Sequence, residues 1–120
     1  MEMHELVGRD LGTCVRTFTM RDTLLYNLTA GAPAEQLTLT YERDARVLPT
    51  YACALGTWAV EACGDLGAYD RFKSLHANQQ LEMRGELVPG DVEMSGRVEA
   101  VWDKGRAAVV VIAVEAEPFV

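Results

Sequence analysis

The segment that most constrains the fold runs from Leu48 to Gly64 and reads as one helix that is apolar all the way round. Between Tyr51 and Cys63 only Thr57 and Glu61 are polar. A surface helix carries a single apolar stripe, whereas a helix with no polar face is buried within a fold. At about 13 residues the apolar stretch is also too short to span a bilayer, which takes about 20. The pattern predicts a long central helix whose largely buried residues are Tyr51, Leu55, Trp58 and Cys63.

Strand-like sequence with turn residues follows this predicted helix. Residues 74–88 form the longest strand candidate, in which Gly85 marks a bulge or a bend. Apolar and polar residues alternate from Val92 to Ala100, which is typical of a half-buried strand. Residues 103–105 predict a hairpin turn with Gly105 in the left-handed region, and the eight apolar residues 107–114 predict a strand buried on both faces.

Two shorter elements are predicted ahead of the central helix. Thr19 and Asp22 have the spacing of a helix-capping box, and Gly31 is suited to end the helix that follows. Residues 37–41 alternate between apolar and polar side chains, which predicts a short strand with one buried face.

A buried helix accompanied by antiparallel strands predicts the hot-dog architecture, an α+β fold in which the sheet wraps around the helix. The length of 120 residues predicts a single domain over residues 1–120. The predicted strands are fewer than a hot-dog sheet usually has. We therefore expect either that a strand is missing from this sequence or that the short N-terminal segments supply it.

The charge and the cysteine content restrict the possible partners. The net charge is −7, and no run of Lys and Arg is longer than a pair, which argues against nucleic acid as a partner. The three cysteines are Cys14, Cys53 and Cys63, and no two of them have metal-ligand spacing. Free thiols and the lack of a recognisable signal segment predict a cytoplasmic protein with no membrane association.

Four segments, taken together, resemble one family. They are Arg21–Tyr26 followed by residues 30–32, Val47–Tyr51, Leu75–Gln79 with Pro89 after it, and Val101–Gly105 before a valine-rich stretch. In this order and spacing they resemble the N-terminal half of the MaoC-like, type 2 enoyl-CoA hydratases. The resemblance implies a double hot-dog protein that adds water to trans-2-enoyl-CoA and yields (R)-3-hydroxyacyl-CoA.

The catalytic signature of that family is absent from this sequence. The signature is Asp-x-Asn-Pro-x-His, and no aspartate here is followed by Asn-Pro and a histidine. The only histidines are His4 and His76, and His76 opens a His-Ala-Asn-Gln stretch where the family usually has His-Gly-Glu-Gln. Because hydration needs a poised acid and base, we expect no catalytic residue in this chain. The resemblance then implies the non-catalytic half of a hydratase or dehydratase, which shapes the acyl pocket while a second hot-dog unit supplies Asp and His.

Four residues are candidates for binding the acyl thioester, as acyl-CoA or as an acyl carrier thioester. His76 and Gln79 lie in a polar cluster and are expected near the acyl or pantetheine portion, although His76 also fits a structural role near a sheet edge. Tyr51, Trp58, Phe72 and Trp102 are candidates to line an acyl tunnel, although core packing is the favoured interpretation of Tyr51 and Trp58. No metal and no cofactor is expected.

The sequence leaves two other functions open. A buried Glu61 on the central helix would have a raised pKa and could serve a hot-dog thioesterase, whereas an outward-pointing Glu61 would not. The chain could instead be a non-enzymatic module that binds or scaffolds acyl thioesters. Arg71 and Lys73 are candidate phosphate contacts, or else belong to a solvated loop. In each case we expect a homodimer, or a heterodimer with a catalytic hot-dog subunit.

Overall fold

The computed structural model describes residues 1–118 and shows an α+β protein. Its three strands are β1 (Asp10–Phe18), β2 (Gly90–Asp103) and β3 (Ala108–Pro118). Its four α-helices are α1 (Met20–Thr29), α2 (Leu37–Thr40), α3 (Tyr51–Leu55) and α4 (Thr57–Gly64). Short 3-10 helices cover Met3–Leu6 and Arg71–Lys73.

The described strands form one antiparallel sheet in the order β1-β2-β3. The central strand β2 alternates between buried and exposed residues from Val92 to Glu99, as the sequence predicts. The predicted hairpin after β2 is also confirmed, because Lys104 N donates to the Ala107 carbonyl oxygen at 2.8 Å and Gly105 has a φ of 86°. The N-terminal segment supplies β1, which is one of the two alternatives considered for the missing strand.

Internal contacts divide the chain into two compact units. The first unit comprises Met1–Cys14, Gly56–Gln79 and Met94–Ala116. The second comprises Val15–Leu55, Gln80–Glu93 and residues 117–118.

The core of the first unit lies between α4 and strand β2. Leu6, Cys63 and Val98 are fully buried at its centre. Partly buried hydrophobic residues pack around them, namely Met3, Leu11, Leu66, Ala68, Tyr69, Val101, Val110 and Ile112. Burying apolar surface of this kind is the main favourable term in folding, worth about 25 cal/mol per Å².

Gly96 sets the distance between α4 and β2. A Cβ atom at this position would lie 3.2 Å from Ala59 Cβ and 3.2 Å from Trp58 Cη2. Contacts this short are rare, so only glycine lets the backbone of β2 approach the helix this closely without displacing a neighbour.

The second unit contains α1, and its predicted start is confirmed. The Thr19 hydroxyl accepts from Asp22 N at 3.2 Å, and the Asp22 carboxylate accepts from Thr19 N at 2.8 Å, which completes the capping box. The buried face of α1 is polar, because Thr23 and Asn27 are fully buried while Leu25 and Leu28 are more than half exposed.

The prediction of one long central helix is wrong in this structure. Two shorter helices, α3 and α4, replace it, with Gly56 between them as the N-cap of α4. Glycine is among the poorest helix formers, because it destabilises a helix by about 1 kcal/mol relative to alanine. A break in the helix at Gly56 is therefore physically reasonable. Trp58 and Cys63 are buried as predicted, whereas Tyr51 and Leu55 are only half-buried and Val60 is 54% exposed.

Two predicted strands are also wrong. Residues 37–40 form α2, because Thr40 Oγ1 donates to the Gln36 carbonyl and Tyr41 N donates to the Leu37 carbonyl. Residues 74–88 form no strand and are exposed except for Leu87. Alternating side chains do not make a strand where no neighbouring strand pairs with the backbone.

Strand β3 is less buried than the sequence predicts. Residues 109–114 are half-buried on both faces, not fully buried. The strand lies at an edge of the described sheet, where a strand has a hydrogen-bonded neighbour on one side only.

We predict that Gly96→Ala lowers the free energy of unfolding by about 1–3 kcal/mol, as overpacking of a core usually does. Urea denaturation checks this value. Gly85→Ala is the matched control, because nothing lies within 4 Å of a Cβ at position 85. Equal stability of the two variants would show that the contact at Gly96 does not constrain the packing of α4 on β2.

Candidate functional site

The four residues predicted to bind a thioester lie in different surroundings. Tyr51 is half-buried in the second unit, and Trp58 is buried in the first. His76 and Gln79 are exposed, in a part of the first unit without regular secondary structure.

Tyr51 belongs to an aromatic cluster within the second unit. Its ring centroid lies 5.0 Å from that of Phe18 and 4.8 Å from that of Tyr26, at interplanar angles of 62° and 60°. Such tilted and edge-to-face contacts stabilise aromatic pairs by about 0.5–1.5 kcal/mol beyond their buried area. Phe18 at the end of β1 is 2% exposed and forms the base of the cluster.

Hydroxyl groups lie at the edge of this cluster. Tyr26 Oη donates to Thr50 Oγ1 at 2.9 Å, which connects α1 to the residue just before α3. Burial, and after it the negative charge of Asp22, raise the pKa of Tyr51 above its usual value of 10. The phenol is therefore neutral at physiological pH and can donate a hydrogen bond. An aromatic surface with hydroxyls at its edge can pack against an acyl chain and donate to a carbonyl oxygen.

Tyr26 and Thr50 were not among the predicted site residues. Both lie in segments that carry the family resemblance, since Arg21–Tyr26 ends at one and Val47–Tyr51 contains the other. The structure brings these two segments together within the second unit. Each segment contains a tyrosine, which is the one feature of the sequence that could have indicated a site here. The sequence does not indicate that the two tyrosines are in contact.

Asn27 fixes the connection between α1 and α3. Its Nδ2 donates to the carbonyl oxygens of Leu39 and Arg46, both at 2.9 Å. Within residues 1–118 its buried Oδ1 has no hydrogen-bond partner. Two carbonyl acceptors determine the orientation of the amide, so Asn27 holds residues 39 and 46 in place beside α1.

Trp58 lies in the packed interior of the first unit. Its indole Nε1 is buried and has no hydrogen-bond partner among the described residues. An unpaired buried donor is uncommon and costs about 1–3 kcal/mol. A hydrogen-bond acceptor that reached the indole N–H of Trp58 would therefore remove this cost.

Tyr69 packs beside Cys63 in the same core. Burial, the hydrogen bond with Cys63 and the negative charge of the Cys63 thiolate raise the pKa of Tyr69 to about 12, while the positive charge of Arg71 opposes the rise. All three cysteines are free, and Cys63 is the buried one. The Tyr69 hydroxyl therefore stays protonated well above neutral pH.

His76, Gln79 and Glu61 are exposed. His76 Nε2 lies 2.8 Å from the carbonyl oxygen of Asn78, so this nitrogen carries the proton and donates. The contact joins residues two positions apart, and the His76 side chain is exposed to solvent. The thioesterase alternative depended on a buried Glu61, and that burial is not found.

The described residues contain neither a metal-binding cluster nor a membrane-length helix. No group of three or more His, Cys, Asp or Glu side chains within residues 1–118 is placed to hold a metal ion. In the same range no helix has both the length and the apolar character needed to cross a bilayer.

Comparison with known proteins identifies relatives of this chain. The family model of the MFE-2 hydratase 2 N-terminal domain matches residues 17–118. The 3-hydroxyacyl-thioester dehydratase Y of Mycobacterium tuberculosis is 33% identical over 102 residues, which cover 79% of this chain. The peroxisomal hydratase-dehydrogenase-epimerase of Saccharomyces cerevisiae is 34% identical over 114 residues, or 87% of this chain. Enoyl-CoA hydratase ChsH3 of M. tuberculosis is 28% identical over 120 residues, or 92% of this chain.

These relatives are much longer than the chain. The matched regions cover 35% of the dehydratase, 12% of the yeast protein and 42% of the enoyl-CoA hydratase. The chain therefore corresponds to one part of each relative.

We predict that the free energy of unfolding falls as the pH rises from about 10 towards 12. In the unfolded chain tyrosine ionises near pH 10, whereas the folded protein keeps Tyr69 protonated until about pH 12. The unfolded state then binds fewer protons, so rising pH favours unfolding. Tyr51 contributes in the same direction.

Urea denaturation at a series of pH values measures this dependence. Tyr69→Phe should flatten the fall, and Tyr41→Phe, which removes an exposed phenol, should leave it unchanged. An identical pH dependence in the wild type and Tyr69→Phe would contradict the assigned environment of Tyr69.

Proposed function

Because the chain belongs to the MFE-2 hydratase 2 N-terminal domain family, a MaoC-like hot-dog family, we propose that it is the non-catalytic half of an (R)-specific enoyl-CoA hydratase or dehydratase. In this role it binds part of an acyl thioester and shapes the acyl pocket. A second hot-dog unit supplies the aspartate and histidine that activate water.

The missing catalytic signature is the observation that supports this proposal. The sequence lacks Asp-x-Asn-Pro-x-His, as expected of a chain that matches an N-terminal domain model. Hydration requires a base to activate water and an acid to protonate the α-carbon. His4 and His76 are both exposed, and no aspartate stands in the family's signature spacing to either of them.

Thioester contacts are proposed for each unit by itself: Tyr51 in the second unit, and Trp58, His76 and Gln79 in the first. The aromatic cluster around Tyr51 supports an apolar contact with the acyl chain. The unpaired indole N–H of Trp58 supports a hydrogen bond to an added acceptor. The thioester is acyl-CoA or an acyl carrier thioester, and the reaction needs no other cofactor.

The proposed assembly contains a second hot-dog unit, either another copy of this chain or a catalytic subunit. The greater length of the relatives supports this, since the matched region is only one part of each. We also propose a cytoplasmic location, which the three free cysteines support.

We predict that the purified chain alone does not hydrate crotonyl-CoA or longer 2-enoyl-CoA thioesters. A general acid or base commonly contributes about 10²- to 10⁴-fold to the rate, so a chain without the pair should stay near background. The loss of enoyl-CoA absorbance measures the rate. Addition of a hot-dog subunit that carries Asp-x-Asn-Pro-x-His should restore turnover.

Two controls separate this function from its alternatives. Release of free CoA from acyl-CoA, lost in Glu61→Ala, would indicate a thioesterase instead. Saturable binding of a thioester without turnover in any combination would indicate a binding or scaffolding module. Rapid hydration by the homogeneous chain alone would refute the proposal.

A further inference from the structure

The turn between β2 and β3 carries an exposed aromatic ring and two positive charges. We define the tryptophan turn as residues Trp102 to Arg106, all of which belong to the first unit. Trp102 is 53% exposed, whereas Trp58 in the same unit is buried. Lys104 and Arg106 are exposed as well. Proteins that hold nucleotides without reading their sequence combine these two features, an aromatic ring for the base and cations for the phosphates.

Local hydrogen bonds hold the tryptophan turn in shape. Lys104 N donates to the Ala107 carbonyl oxygen at 2.8 Å, and Arg106 N donates to the Lys104 carbonyl oxygen at 3.2 Å. Gly105 N donates to Asp103 Oδ1 at 2.8 Å, so the one carboxylate of the turn is engaged with the backbone. The side chains are therefore presented on an ordered support, which lowers the entropy lost on binding.

The ammonium group of Lys104 already lies beside the indole of Trp102. Its Nζ is 5.7 Å from the centre of the ring, in a cation–π contact. At an exposed site such a contact is weak, so the lysine is free to turn towards an anion. A planar base that stacks on the indole therefore has a cation within reach of the phosphates attached to it.

No carboxylate neutralises the two cations of the tryptophan turn. Within residues 1–118, neither Lys104 nor Arg106 forms an ion pair. Arg71, which the sequence also offers as a phosphate contact, is paired with Asp65, and its guanidinium lies 5.8 Å from the centre of the Phe72 ring. Because a phosphate is bound most strongly by cations that are not already paired, the tryptophan turn is the better phosphate site of the two.

The charge of the whole chain makes a local site of this kind necessary for phosphate binding. The net charge is −7, so the surface as a whole repels an anionic ligand. The tryptophan turn differs, because it holds two cations and one carboxylate in five residues. Its positive charge and its exposed ring together favour a ligand that has both phosphates and a planar base.

We propose that the tryptophan turn binds the nucleotide end of an acyl-CoA, with the adenine ring stacked on Trp102 and the phosphates bound by Lys104 and Arg106. The planar guanidinium of Arg106 can donate two parallel hydrogen bonds to one phosphate, while the Lys104 ammonium acts as a point charge. The inference rests on the proposed function, which admits both acyl-CoA and an acyl carrier thioester, and it selects acyl-CoA. A carrier thioester has a phosphate but no adenine, so it would leave the indole unused.

Fluorescence titration of the whole chain with adenosine 3′,5′-bisphosphate tests the inference directly. A stacked base quenches the emission of the tryptophan that it contacts, and Trp102 is the exposed one of the two tryptophans. The wild type should show saturable quenching with a Kd below about 1 mM. In Trp102→Leu the remaining emission, from Trp58, should not change, and calorimetry should show binding at least tenfold weaker, about 1.4 kcal/mol.

Removal of the two cations gives an independent result. Lys104→Gln/Arg106→Gln should weaken bisphosphate binding at least tenfold, about 1.4 kcal/mol. Arg43→Gln/Arg84→Gln is the matched control, because it removes the same charge from two exposed residues of the second unit and should bind as the wild type does. No quenching in the wild type, undiminished binding by Trp102→Leu, or equal weakening in the two double variants would each overturn the inference.

Ligands without adenine separate the possible sources of the phosphate. Phosphopantetheine and inorganic phosphate should bind at least tenfold more weakly than the bisphosphate, about 1.4 kcal/mol, and should not quench Trp102. Binding of either one as tight as that of the bisphosphate would identify a site for phosphate alone and would overturn the selection of acyl-CoA.

An acyl-pantetheine, which has no nucleotide, separates this inference from the proposed function. Saturable binding of octanoyl-pantetheine by a chain that does not bind the bisphosphate would support the proposed function and contradict the inference. Bisphosphate binding that is lost in the variants of the tryptophan turn, with no binding of octanoyl-pantetheine, would support the nucleotide site and contradict the proposed function.

Discussion

The close approach of α4 to strand β2 at Gly96 is the contact on which the first unit depends. Because position 96 has no side chain, Ala59 and Trp58 reach the backbone of the strand. Cys63, one turn further along α4, is then buried with Val98 and Leu6. The same packing buries the indole of Trp58 and places the end of α4, at Gly64, beneath Arg71.

The second unit is organised mainly by polar contacts. Asn27 holds two carbonyl groups beside α1, and the Thr19–Asp22 capping box fixes the start of that helix. These contacts set α1 so that Tyr26 meets Tyr51. Burying a polar face of α1 leaves Leu25 and Leu28 exposed, which is the reverse of ordinary helix amphipathicity. The chemistry that this unit offers, an aromatic surface with neutral hydroxyls, therefore depends on hydrogen bonds formed within it.

Local signals in the sequence predicted the elements that local interactions determine. The capping box at Thr19, the alternation along β2 and the turn at Gly105 each depend on neighbours in sequence, and each is confirmed. The predictions were wrong for elements that depend on strand pairing or on packing between distant segments. Residues 74–88 have the composition of a strand but no strand to pair with, and Gly56 divides the apolar segment into two helices. The contact between Tyr26 and Tyr51 joins residues far apart in sequence, so neither periodicity nor composition could reveal it.

The most direct test of the account is an NMR titration of the isotope-labelled chain with a saturated acyl-CoA, which cannot be hydrated. Saturable changes are expected in the ring signals of Tyr51 and Tyr26 and in the amide of Thr50, with no chemical conversion of the ligand. Tyr51→Phe should weaken the binding by roughly fivefold, the worth of about 1 kcal/mol for one hydrogen bond. Absence of any saturable change in these signals at about 1 mM ligand would show that the chain does not bind acyl thioesters.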